Sequence, residues 1–296
     1  MGLSNNQKQI ADQFLDLLKK EGLQWTRLWR QPVPPQNGIT GHIYQGMNYL
    51  TCAMRMFKYG WTDPRFITLK NVIALGGSIK GHKATPIVYY GPMKYEDKNG
   101  DERTRLGGRA YNAWNVEQLG LESHQDLNQL PVPFPTSAVA KNARIEHFIK
   151  QAGIVRKKDS RAYFNQKDDF IGIPDPSDFY STDDRSRSEN YYSVLLHEIV
   201  HWTGAQKRLN RIELKEYHVD KIQRAREELI AEIGSVFFGN KFEIQTHPSN
   251  ENAAYVQSWI KLLEANQETI YGAAQQANKA LQYCSHYDSL DEAYAA

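Results

Sequence analysis

The sequence predicts an α+β protein of two domains, and three observations carry that prediction. A proline-rich stretch, "LPVPFPTS" at residues 130–137, interrupts the chain near its middle. Ahead of it, strand-forming runs surround an Asn-Gly turn. Behind it, apolar residues recur at helical spacing over most of the length. At 296 residues the chain is too long for one small core, since domains run to about 100–200 residues. The predicted division is an α+β domain over 1–135 and a mainly helical domain with a small sheet over 136–296.

Each element follows from a local signal. Ile10, Phe14, Leu17 and Leu18 make residues 5–20 an amphipathic helix that Gly22 can end. "FITLKNVIALGG" mixes Thr, Ile and Leu and closes on a Gly-Gly stop, and "ATPIVYYGPMKYEDKNGDERTRLGGRAYNAWNV" reads as strands around Asn99 and Gly100. In the second half, "AYFNQKDDFIGIP" reads as a short hairpin turning at Asp168 and Asp169. Ser186 and Glu189 have the S-x-x-E spacing of a capping box, so a helix runs from Arg187 to Thr203, with Gly204 as its stop. A second long helix spans Asp220 to Gly239, and two more follow at about 251–265 and 267–284.

Hydrophobic content of 41% and charged content of 24% match a folded globular chain and exclude extensive disorder. No run approaches the 18 apolar residues of a membrane span, and the N-terminus lacks the charged start and apolar block of a signal peptide. The only cysteines, Cys52 and Cys284, lie far apart, which favours a reducing compartment; the expected location is the cytoplasm, with no membrane partner. Charge divides unevenly: residues 1–135 hold 16 Lys and Arg against 11 Asp and Glu, and residues 136–296 hold 20 against 23. A modestly basic first half can attract nucleic acid, although a solvated surface carries such an excess equally well.

The segment "LLHEIVHWTG" points to metal chemistry. His197 and His201 stand one helical turn apart, so both project from one face and can bind a single Zn²⁺ or another divalent metal. Glu198 follows the first histidine, in the place of a general base acting on a water that the metal has acidified. A third histidine six residues after the second would give the metzincin arrangement, but that position is Lys207. "DKIQRAREELIAEIGSVFFG" offers carboxylates instead. Glu228 is the expected third ligand, with Glu232 one turn later orienting a histidine or exchanging places with it. The rival reading pairs Glu227, Glu228 and Glu232 with Arg224 and Arg226 on an exposed face.

In the first half, aromatic and basic residues interleave. Stacking rings and phosphate-tracking cations suit single strands, and the candidates are Trp25, Trp29, Arg30, Tyr44, Lys70, Lys80 and Lys83. The turn residues Gly46 and Asn48 of "IYQGMN" fit a packed turn as well as a DNA contact.

"PVPPQNGITGHIYQGMNYL", "ITLKNVIALGGSIKGHKATPIVYY", "AYNAWNVEQLGL" and "HEIVHWTG" followed by "REELIAEIGSVF" together resemble the ArdC-type antirestriction proteins of conjugative plasmids. The N-terminal domain of that family also occurs in TraC-type plasmid primases. The resemblance spans nearly the whole chain. It implies an N-terminal domain that binds single-stranded DNA and a C-terminal gluzincin-like metallopeptidase domain. It also implies His197, His201 and a glutamate of "EELIAE" as metal ligands and Glu198 as the catalytic glutamate. The expected function is protection of incoming plasmid DNA from host restriction during conjugation, acting in the recipient cell. The protein substrate is unnamed by the sequence, a host restriction component being one option. Two alternatives stand beside it: a DNA-binding protection module whose metal is structural, and a regulatory metallopeptidase that cleaves a DNA-bound repressor.

Overall fold

The computed structural model describes residues 5–21, 33–96, 102–130, 138–182, 185–244, 246 and 253–288. The chain divides into two compact units, Val33–Pro131 and Met1–Pro32 with Val132–Ala296. Helix α1 (Asn5–Glu21), which the sequence reading places in the first domain, therefore goes with the second unit. Its apolar face, with Ile10, Phe14 and Leu18 buried, packs on α8 (Ala253–Ala265). Lys19 pairs with Glu264 at 2.7 Å, and the hydroxyl of Tyr271 donates to the carbonyl of Gln7 at 3.0 Å.

The unit Val33–Pro131 is α+β. A four-stranded sheet has the order β1-β2-β4-β3, built from β1 (Gln36–Asn37), β2 (Arg65–Thr68), β3 (Thr85–Glu96) and β4 (Glu102–Asn115). β1 and β2 are parallel and the other pairs antiparallel. The β3–β4 ladder runs from Thr85 opposite Ala113 to Glu96 opposite Glu102, and the predicted Asn99–Gly100 turn lies outside the described residues. Ile67, Val72, Trp114, Val116 and Leu127 form a core under α3 (Leu69–Ala74). The buried Arg65 guanidinium is neutralised by Asp63 at 2.6 Å and donates to the carbonyl of Asn128 at 3.1 Å.

Helix α2 (Gly46–Tyr59) escapes the sequence reading because its start lacks a Ser, Thr, Asp or Asn cap; Gln45 makes no side-chain capping bond. Asn48, in its first turn, has a structural job. Its carboxamide donates to the carbonyl of Val88 at 2.7 Å and accepts from the Val88 N–H at 2.8 Å, clamping the outer edge of β3.

The second unit is mainly helical. Its sheet, in the order β5-β7-β6, comprises β5 (Arg156–Lys158), β6 (Tyr163–Asn165) and β7 (Phe170–Ile173), with β6 antiparallel to β7 at one edge. The β6–β7 turn falls where Asp168 and Asp169 predict it, and Asp169 takes a left-handed φ of 54°. Helices α4 (Ala138–Gln151), α5 (Arg187–Thr203), α6 (Ile212–Lys215), α7 (Lys221–Phe242), α8 and α9 (Glu268–Ser285) complete the unit. α7 is central, packing against α5, α6, α8 and α9, and Leu229, Ile230, Ile233, Phe237 and Phe238 are buried around its circumference. The amphipathic pattern of an exposed helix is therefore absent from it. Among the described residues no helix is long and apolar enough to cross a membrane.

Candidate metal centre

Two helix starts fix the site. Ser186 Oγ accepts from the Glu189 N–H at 3.3 Å while the Glu189 carboxylate accepts from the Ser186 N–H at 2.9 Å, so the capping box sets the register of α5. The Asp220 carboxylate accepts from the N–H groups of Ile222 and Gln223 and does the same for α7. Where the helices cross, a Cβ on Gly234 would stand 2.7 Å from Cγ2 of Val200. That close approach brings the histidines of α5 to the carboxylates of α7. Gly234→Ala should push the helices apart, costing about 1–3 kcal/mol in urea unfolding and weakening metal uptake in the same sample.

Gly204 ends α5 for a reason the sequence reading did not foresee. Its φ of −76° is right-handed, so no left-handed cap is needed. A Cβ there would lie 2.6 Å from the Arg211 guanidinium, which occupies that space.

The side chains of His197, His201 and Glu228 converge. Each offers one ligand atom, all within 4.8 Å of one another. Nε2 of His197 faces Nε2 of His201 at 3.2 Å, and the Glu228 carboxylate stands 3.5 Å from the first and 3.7 Å from the second. The opposite ring nitrogens face carboxylates: Nδ1 of His197 meets Glu232 at 3.3 Å, and Nδ1 of His201 meets Glu227 at 3.1 Å. Protons on both Nδ1 atoms leave two Nε2 lone pairs aimed at each other and at a carboxylate. That donor set is repulsive by itself and suits a divalent cation.

The electrostatics agree with the geometry. Burial opposes a proton on His197, yet the Glu228 and Glu232 carboxylates hold its pKa well above the ordinary histidine value. Burial likewise works against charge on Glu228, but the two histidines and the Tyr217 hydroxyl, which donates to it, hold its carboxyl at about 2. Glu198 behaves differently. Burial raises its pKa, and the neighbouring histidines and the backbone N–H of Phe164 on β6 only partly oppose this.

The sequence reading missed three contributors. Glu227 is fully buried and pairs with Arg211 through Nε at 2.9 Å and Nη2 at 2.5 Å. Arg211 also donates to Thr203 Oγ1 at 2.8 Å and to the Val200 carbonyl at 2.7 Å, tying the end of α5 to α7. Tyr217 sits edge-on to His201 at 6.0 Å. Adjacent glutamates signal no such division of labour, and nothing near Arg211 in sequence marks it. The exposed pairing with Arg224 and Arg226 does not form: Glu227, Glu228 and Glu232 are buried, and Arg224 turns to the Tyr217 carbonyl at 2.9 Å. Lys207, at the metzincin position, pairs with Asp169 at 2.6 Å.

The site opens into a cleft of about 980 Å³ that reaches His197, Glu198, His201, Glu228, Tyr217 and Tyr255. The DNA candidates separate. Lys70, Lys80 and Lys83 are exposed. Tyr44 is buried, edge-on to Phe66 at 6.4 Å, and as a core ring it has no open face for a base, which corrects the expectation. Trp25, Trp29 and Arg30 lie outside the described residues.

Residues 4–125 match the N-terminal domain of the anti-restriction factor ArdC, and residues 143–276 match the zincin-like metallopeptidase family. The metal-free crystal structure of the antirestriction protein ArdC from plasmid R388 superposes with a TM-score of 0.72, covering 97% of this chain and 98% of that one at 26% identity. The chain is an ArdC-type protein. A Mn(II)-bound structure of the R388 protein fits equally, with a TM-score of 0.72 over 97% of this chain and 99% of that one at 25% identity. Two DNA primases TraC from Escherichia coli are 32% and 30% identical over 92% and 93% of this ArdC-type chain, which spans 26% and 19% of their length. An uncharacterised protein y4eC from Sinorhizobium fredii is 25% identical over 83% of the chain and 78% of its own length. Helix α1 belongs to the stretch that matches the ArdC N-terminal domain, while its packing is with the second unit.

Proposed function

We propose that this ArdC-type chain is a zinc metallopeptidase joined to a single-stranded-DNA-binding domain, and that it protects incoming plasmid DNA from restriction in the recipient cytoplasm. The observation that carries the peptidase reading is the convergence of His197, His201 and Glu228 beside Glu198 at the floor of an open cleft. A structural metal site is closed by its ligands, whereas a catalytic one keeps a position facing solvent or substrate. A bound divalent ion supplies Lewis acidity toward a carbonyl and lowers the pKa of water. Glu227 and Glu232 hold the two imidazoles with Nε2 presented to the ion. Glu198, with its pKa raised by burial, takes a proton from the attacking water and passes it to the leaving amine. β6, the sheet edge beside Glu198, can pair with an extended peptide by strand addition.

The DNA-binding half rests on the family and on the exposed Lys70, Lys80 and Lys83. Glu198→Gln should retain metal and single-strand binding while hydrolysis falls by about 10²–10⁴-fold. DNA protection that survives in this variant would assign it to the DNA-binding half alone. Affinity for single strands should fall steeply as salt rises, and a salt-independent constant would remove the phosphate-contact reading.

A further inference from the structure

We infer that the cleft takes peptide segments carrying acidic side chains on either side of the bond it holds, an inference that rests on the peptidase reading above. The wall of the cleft is cationic. Arg161 precedes β6, Lys167 follows it, and Lys215 comes from α6. All three are exposed, and among the described residues Lys167 and Lys215 have no ion-pair partner. Among the described residues, the only carboxylates lining the cleft are Glu198 and Glu228, both at the metal centre. The two lysines are held on one side: Gln166 Nε2 donates to the Leu214 carbonyl at 2.9 Å, which fixes the β6–β7 turn to α6 with Lys167 and Lys215 next to the bond.

This layout discriminates between ligands. With a divalent ion bound, the charges of the ion and of Glu198 and Glu228 offset one another at the floor, so selection by charge falls to the wall. A peptide places its neutral backbone over the floor and sends side chains outward to the wall. The aromatic surface of Phe164, Phe179 and Tyr255 leaves room for an apolar side chain at the centre. Acidic residues flanking such a centre meet Arg161 at one end and the lysines at the other.

The test uses fluorescein-labelled peptides with one apolar centre and Glu, Gln or Lys on both flanks. Anisotropy is read on zinc-loaded full-length Glu198→Gln protein, and cleavage on the parent. Each exposed ion pair changes a binding constant by up to roughly fivefold, so the Glu-flanked peptide should bind about tenfold more tightly than the Lys-flanked one at low salt. The triple variant Arg161→Glu/Lys167→Glu/Lys215→Glu, with metal content measured as the folding control, should reverse that order. Equal binding of the three peptides, or an order the triple variant leaves unchanged, overturns the inference. So does oligothymidylate that displaces the Glu-flanked peptide from the parent wall and loses its own affinity in the triple variant. Charge-ordered binding with no peptide cleaved supports the inference and removes the peptidase reading. Cleavage without charge order does the opposite.

Discussion

The Glu228→Ala protein will emerge from purification without stoichiometric metal, as will His197→Ala, while Glu198→Ala will keep its full complement. The expectation follows from the roles of the three carboxylates around the histidines. Glu228 faces both Nε2 atoms, whereas Glu232 and Glu227 face the Nδ1 atoms. Deleting Glu228 removes the anionic donor and leaves two neutral imidazoles, too few to hold the ion. Glu232→Gln preserves the donors but slackens one ring, and should cost about 10–100-fold in affinity. Metal analysis after dialysis against a weak chelator separates the cases, and full zinc in Glu228→Ala would transfer the third-ligand role to Glu232. Protons compete for the same nitrogens. Because the His197 pKa is raised, affinity should begin to fall at a higher pH than an unperturbed histidine would give.

Arg211→Ala should be the most damaging single change to stability, at about 3–5 kcal/mol by urea unfolding at neutral pH. Arg211 is 3% exposed and its guanidinium is the counter-charge of the fully buried Glu227. Burial raises the Glu227 pKa, and Arg211 with His201 more than reverses that, leaving it lowered. A lowered carboxylate pKa contributes stability above the unfolded value and loses it as pH falls through the folded value. Without Arg211 the Glu227 charge is uncompensated, so the penalty should shrink in acid as the carboxyl takes a proton. An Arg211→Met/Glu227→Met double variant should recover much of the loss, since paired apolar replacements leave no orphaned charge. It would still bind metal poorly, because His201 Nδ1 would have lost its acceptor. A loss below about 1 kcal/mol in Arg211→Ala would show that water replaces the guanidinium without cost.

What could be read in the sequence was local. The capping box at Ser186, the four-residue histidine spacing and the turn at Asp168–Asp169 each lie within a few residues, so pattern and structure coincide. α7 was legible as a helix, but its burial was not. "REELIAE" has the charge alternation of a solvated face, and only packing against α5, α8 and α9 turns its glutamates inward. The Arg211 contact to Glu227 joins residues on separate elements and leaves no periodic trace. Aromatic composition was the weakest guide: Tyr44 and Tyr49 are core residues while Tyr89 is 53% exposed, and the letters alone do not distinguish them. The placement of α1 depended on its partner, α8, which lies more than two hundred residues away.

The clamp that Asn48 places on β3 has a consequence for how copies of this protein meet. An outer strand with open N–H and C=O groups is a template on which a second chain can zip, and long hairpins present the longest templates. At Val88 both backbone groups are already occupied by a carboxamide from the same molecule. A neighbouring strand would have to displace two good hydrogen bonds there before extending the sheet. Asn48 thus acts as a chain stopper at that point of the hairpin.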